Sequence, residues 1–186
     1  MIKVDFRLAP GSNAPARIPA GFKEAMETAA SSAVVELLSA YGVSLRPAPG
    51  PASGMNLAAL GLVKFAGSGL EGTATLGASS AILKRSNGGT GTDRDWIAEM
   101  ANQYIGRFKL KLLRAGFELW SLAPVAVKGR LLVTGVSQPE APPLAFVDPQ
   151  GGSVAIWMEL EVIADIKSKA PAGDPEIPRE GDVILF

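Results

Sequence analysis

The sequence predicts an α+β fold, a two-layer arrangement in which a mainly antiparallel sheet carries two long helices on one face. Three observations predict it. Alternating apolar runs outnumber helical ones and follow one another along the chain. Two long segments, Ala20 to Tyr41 and Asp93 to Arg114, instead repeat their apolar residues at the helical period. With 186 residues and no cysteine, the chain is long enough for one core without disulfide staples. We expect a single domain over residues 1–186, with 167–186 a loosely attached tail.

The elements follow in order. Ile2, Val4, Phe6 and Leu8 alternate with Lys3, Asp5 and Arg7, the pattern of a half-buried strand. Ala9 to Ala20, with three prolines, is a loop. From Ala20 to Tyr41 the residues Phe22, Met26, Ala29, Ala30, Ala33, Val34, Leu37 and Tyr41 share a helix face, and Gly42 ends it. A short strand is expected at Val43 to Leu45, then a proline-rich loop from Pro47 to Gly54. Leu57 to Ala66 and Glu71 to Leu76 read as paired strands about a turn at Gly67 to Leu70. Ala78 to Arg85 is a short helix, led by Ser79 or Ser80.

Thr92 then caps the second long helix with Asp95 three residues on. Asp93 and Asp95 suit its positive start, while Lys109, Lys111 and Arg114 suit its negative end. Gly116 provides the left-handed stop. At about 100° per residue, Ile97, Ala101, Tyr104, Ile105, Phe108 and Leu112 form the core face. After it come strands at Phe117 to Leu122, Pro124 to Lys128, Leu131 to Val136, Leu144 to Val147 and Val154 to Ile166. Gly129-Arg130 and Asp148 to Gly152 are the expected turns. The apolar end, Asp182 to Phe186, suits a terminal strand or a docked plug.

Composition removes several classes of chemistry. Lys plus Arg number 18 and Asp plus Glu number 18, so no net field draws nucleic acid or an anionic membrane. There is no histidine and no cysteine, which excludes a Ser-His-Asp triad, a thiol nucleophile and the usual zinc ligands. No apolar run approaches the roughly 18 residues of a membrane span, and charges occupy the place of a signal peptide's apolar stretch. We expect a cytoplasmic protein with no membrane insertion.

Two glycine-rich stretches invite a nucleotide reading. Gly67-Ser-Gly-Leu-Glu-Gly72 has the G-x-G-x-x-G spacing, but that motif needs a helix straight after the glycines, and here a strand follows. Ser86 to Thr92 lacks the Gly-Lys-Ser/Thr ending of a phosphate loop. A hairpin turn and a plain loop are expected instead.

On the helix from Asp93 to Arg114, Asp95, Glu99, Asn102 and Gly106 fall opposite the core face along one exposed ridge. A carboxylate and a carboxamide three residues apart therefore point side by side into solvent. Taken alone, Glu-x-x-Asn on an exposed helix is commonplace, and Asp95 with Glu99 is a weak magnesium pair.

The wider pattern says more. Asp95-x-x-x-Glu99-x-x-Asn102, with Gly106 on the same ridge and Pro124 further on, resembles the signature of the CheC/CheX/FliY family of chemotaxis phosphatases. The strands around Phe65-Ala-Gly67 and Gly72 to Leu76 resemble the paired strands of that family. The helix at Ala20 to Tyr41 resembles its first long helix, giving a CheC/CheX-like fold. Some members carry a site on each long helix. Here Glu24 and Glu27 are followed three residues later by Glu27 and Ala30, not asparagine, so the resemblance is to the single-site CheX branch.

The resemblance implies a phosphatase for the aspartyl phosphate of a CheY-type response regulator. Asn102 and Glu99 would be catalytic: Asn102 orients the attacking water, and Glu99 pairs with the regulator's phosphate-contacting lysine. Asp95 would hold the helix start or touch the partner, and Gly106 would let it approach. Leu110 and Leu113, near the ridge, either bury against strands or offer an apolar contact. No cofactor of the chain's own is implied, since the regulator brings Mg2+; a homodimer through sheet edges is compatible. The rival is a non-catalytic module of the same fold, docking a regulator or a flagellar or signalling complex.

Overall fold

The computed structural model describes residues 5–8, 17–49, 55–88, 91–132 and 144–166. In chain order the elements are β1 (Asp5–Leu8), α1 (Phe22–Ala40), β2 (Arg46–Pro47), β3 (Asn56–Gly67), β4 (Leu70–Ala78), α2 (Ser80–Ser86), α3 (Asp93–Arg114), β5 (Trp120–Ser121), β6 (Val125–Leu132), β7 (Leu144–Val147) and β8 (Ser153–Val162). The strands form one eight-stranded sheet in the order β2-β7-β8-β4-β3-β5, with β6 also on β3 and β1 also on β8. All pairings are antiparallel except β1 with β8, which is parallel. This is the expected α+β arrangement.

The alternation of β3, β4 and β8 decides which face is covered. Ala59, Val63 and Phe65 of β3, Leu70, Ala74 and Leu76 of β4, and Ile156, Leu160 and Val162 of β8 are buried in one core. Their partners across the ladders match, as in Val63 with Ala74 and Ala74 with Met158. α3 lies on this face over β3, β4 and β6, and α1 packs alongside α3. From α3, Ile97, Met100, Ala101, Tyr104, Ile105, Phe108 and Leu112 enter the same core as Phe22, Met26, Ala30, Val34 and Leu37 of α1. Each large apolar side chain so buried contributes about 1.5–3 kcal/mol. Phe65 and Phe108 meet edge to face at 5.8 Å, fastening sheet to helix.

Close approach explains one glycine. A Cβ at Gly61 would stand 2.6 Å from Ala101 Cβ and 2.7 Å from the Ile97 carbonyl oxygen. The middle of β3 is therefore a flat seat on which α3 rests, with Ala101 as the small residue opposite.

The G-x-G-x-x-G stretch is the hairpin turn expected of it. Ser68 (φ 51°) and Gly69 (φ 88°) form a two-residue turn between β3 and β4, both left-handed, as a type I′ turn requires. Ser68 Oγ accepts the Glu118 N–H and donates to the Glu118 carbonyl, each at 3.0 Å, so this turn is tied to the segment after α3.

Several expectations need correction. Gly129-Arg130 is not a turn: β6 runs through it from Val125 to Leu132. The register moves from Ala59↔Lys128 to Leu57↔Leu131, so the pair makes a bulge in an edge strand, where an extra residue is tolerated. The strand near Val43 to Leu45 lies instead at Arg46–Pro47, because Val43 N–H closes the end of α1 on the Leu38 carbonyl. Of Phe117 to Leu122 only Trp120–Ser121 is a strand, with the Leu122 N–H still donating to the Lys64 carbonyl, since Phe117 and Leu119 turn into the core. The last strand stops at Val162, where Ile163 and Ala164 N–H groups both turn to the Gly69 carbonyl. Residues 2–4, 9–16, 50–54, 89–90, 133–136 and 167–186, assigned above to strands, loops and tail, lie outside the described residues. Among those described, no helix is long and apolar enough to cross a membrane.

Candidate functional site

The site is built on α3. Its first turn is closed reciprocally: Thr92 Oγ1 accepts the Asp95 N–H at 3.2 Å and donates its own proton to Asp95 Oδ2 at 2.7 Å. Asp95 therefore stands where the acid of a capping box stands, and its carboxylate is engaged in holding the helix start. Two further ties fix the helix sideways. Lys128 of β6 reaches Asp93 at 3.3 Å, and Lys111 pairs with Glu36 of α1 at 2.6 Å. Such partly exposed pairs add little stability, but they link α3 to β6 and to α1. Lys109 Nζ donates to Ser121 Oγ at 3.1 Å, bringing β5 against its second half.

Above this seat the outer ridge of α3 is open. Asp95, Glu99, Asn102 and Gly106 are all exposed, in line and on the side away from Gly61. An added Cβ at Gly106 would meet nothing within 4 Å. Leu113 continues the ridge with 42% of its surface exposed, and Leu110 is half-buried. Neither is drawn into the core, so an apolar patch extends the ridge beyond Gly106.

Glu99 and Asn102 differ in their surroundings. Glu99 Oε1 accepts from Gln103 Nε2 at 2.8 Å, and Gln103 Oε1 accepts from the Tyr41 hydroxyl at 2.9 Å. The Asn102 carboxamide has no partner among the described residues. One member of the pair is held and the other is free to engage something external. Sequence reasoning missed Gln103, although its spacing of four from Glu99 was a usable signal. It also placed Tyr41 only on the core face of α1, and nothing in the sequence connects Tyr41 with Gln103.

Pro124 lies between β5 and β6, half-buried and off α3. Both strands pair with β3, but residues 122–124 stand against only 63 and 64 between Phe65↔Ser121 and Leu62↔Val125. A residue without an N–H fits this interruption of the ladder. Pro124 thus shapes the edge strand beside α3. On α1, Ala30 is fully buried, so Glu27 and Ala30 form no exposed pair corresponding to Glu99 and Asn102.

Buried polar groups lie elsewhere. Tyr104 is fully buried beneath the ridge, and burial pushes its phenol up; its hydroxyl has no partner among the described residues. Asp148 pairs with Arg85 of α2, which also donates to Gln150 Oε1 and the Gly151 carbonyl, clamping α2 to the β7–β8 turn.

An antiparallel sheet with two long helices on one face is also the fold of solved CheC-like and CheX chemotaxis proteins. The chain has that fold. It superposes on a CheC-like superfamily protein from Shewanella sp. PV-4 with a TM-score of 0.59 at 16% identity, covering 73% of this chain and 97% of that one. Chemotaxis protein CheX from Vibrio vulnificus gives 0.57 at 18% identity, covering 72% and 96%. CheX of Borrelia burgdorferi, solved as a CheX-CheY-BeF3-Mg2+ complex, gives 0.52 at 19% identity, covering 75% and 97%. No protein-family model and no curated protein matches the sequence.

Proposed function

We propose that this protein is a phosphatase for the aspartyl phosphate of a CheY-type response regulator, working in the cytoplasm. The observation that carries the proposal is the geometry of Glu99 and Asn102: adjacent, exposed, one carboxylate held and one carboxamide free. The likeness of fold to a CheX solved with CheY, BeF3 and Mg2+ supports the choice of partner. In this reaction a water oxygen bonds to phosphorus as the bond from phosphorus to the aspartyl oxygen breaks, giving inorganic phosphate and a free carboxylate.

The chemistry asks little of the chain in general acid–base catalysis, because phosphoryl transfer depends mainly on positioning and charge stabilisation. The regulator would contribute its own magnesium ion and a lysine beside the phosphate. Asn102, inserted into that site, orients the water in line with phosphorus. Glu99 pairs with the lysine and sets the register of the two proteins. Gly106, with Leu113 beyond it, forms the surface on which the partner rests, and Asp95 serves chiefly as the cap. The same proposal allows two copies to pair through a sheet edge.

The test is phosphate release from a regulator charged with acetyl phosphate, with this protein substoichiometric. Acceleration with turnover is expected. Asn102→Ala should lower the stimulated rate roughly a hundred-fold, the scale on which loss of a positioned reacting group acts, with folding unchanged. Near-normal release by that variant would sink the assignment. A regulator whose phosphate is protected or unaffected would identify a non-catalytic docking module instead.

A further inference from the structure

We infer that Gln103 and Tyr41 are positioning residues that hold the Glu99 carboxylate in a docking-ready orientation, an inference that rests on the phosphatase reading above. The polarity of the link is fixed by its ends. A carboxylate only accepts, so the side of the Gln103 amide facing Glu99 must be its NH2 group. Its carbonyl oxygen then faces Tyr41, whose hydroxyl must donate. The distances are 2.8 Å and 2.9 Å.

Tyr41 is itself immobilised. It is the C-cap residue of α1, directly before Gly42 at φ 71°. Its ring meets Trp96 edge to face at 5.0 Å and 86°. The Trp96 indole N–H donates at 2.8 Å to Ser86 Oγ, which is buried at the end of α2 and donates to the Ile82 carbonyl at 2.9 Å. Glu99 is therefore backed by residues of α1, α2 and α3. An isolated Glu–Gln contact at this spacing is weak. Anchored from behind, it fixes one carboxylate oxygen and leaves the other for a partner's cation. The rotamer freedom of Glu99 is then lost on folding and not on docking. Pre-ordering one such side chain is worth about three- to ten-fold in affinity.

Tyr41→Phe removes only the hydroxyl and keeps the ring against Trp96. It should raise the KM for phosphorylated regulator about three- to ten-fold with kcat unchanged. Gln103→Met, similar in shape and unable to make either bond, should match it. Neither should add to Glu99→Ala, because a group that acts only through Glu99 has nothing left to act on. In the free protein, the Gln103 side-chain amide resonances should shift in both Tyr41→Phe and Glu99→Ala. Amide signals indifferent to Glu99→Ala, a KM unmoved by Tyr41→Phe, or an equal KM increase in the Glu99→Ala background would each overturn the inference. Wild-type protein that binds a beryllofluoride-charged regulator through Glu99 without turnover would remove the phosphatase reading alone. The positioning role would then be read from the dissociation constant, with the same expected ratio.

Discussion

Gly106→Ala should change stability and docking in opposite directions. In the free protein a glycine in the middle of a 22-residue helix is a defect, costing about 0.8–1 kcal/mol relative to alanine. Nothing among the described residues requires it: the added methyl meets no atom within 4 Å. Gly106→Ala should therefore stabilise by about 0.8–1 kcal/mol, raising Tm by roughly 2–4 °C for a chain of this length. Docking of the proposed regulator should suffer, since Gly106 lies one turn beyond Asn102 on the ridge it would approach. A methyl wedged into a close-packed contact costs about 1–3 kcal/mol, or roughly five- to 150-fold in KM. Thermal unfolding followed by circular dichroism gives the first quantity, and stimulated phosphate release at varied regulator concentration gives the second. A Tm that does not rise would refute the helix argument. A KM unchanged in both Gly106→Ala and the longer Gly106→Gln would refute close approach at this position.

Three further outcomes follow from the packing. Gly61→Ala should destabilise by about 1–3 kcal/mol in urea unfolding, because its Cβ stands 2.6 Å from Ala101 Cβ and α3 must lift from β3; phosphatase activity of the folded fraction should stay within a few-fold, since Glu99 and Asn102 move together. Tyr104→Phe should raise stability by about 1 kcal/mol, as it deletes a buried hydroxyl without a partner among the described residues and keeps the ring beside Phe108; a loss in urea unfolding would show that the hydroxyl is satisfied. Thr92→Ala should cost about 1 kcal/mol through loss of the cap shared with Asp95, with fraying of the first turn of α3 read by amide exchange.

The parts of the fold legible in the sequence are those governed by local rules. Thr92, Asp95 and Gly116 marked the ends of α3 because capping and left-handed stops involve near neighbours. The Ser68-Gly69 turn was visible because two adjacent alternating runs flank it. What failed depended on partners distant in sequence. Gly129-Arg130 carries the composition of a turn, and only its pairing with β3 shows it to be a bulge. Met100 is buried, its Sδ 3.7 Å from Ser86 Oγ of α2, a width of apolar face that periodicity alone did not supply. At the site, the exposed placement of Glu99 and Asn102 follows from helical spacing. The support of Glu99 by Tyr41 spans 62 positions and depends on how α1 meets α3, so no sequence pattern discloses it.

The parallel pairing of β1 with β8 also has a consequence for the protein as it is made. Residues 5–8 find their ladder partners at 159–162, so the whole stretch between them must leave the ribosome before that ladder can close. Translation at about 5–20 residues per second leaves β1 without this partner for roughly 8–30 s. During that interval the nascent chain offers unpaired backbone donors and acceptors to any neighbouring strand. Slowed translation beyond residue 8, or removal of chaperones that bind nascent chains, should therefore reduce soluble yield more than it reduces the stability of molecules already folded.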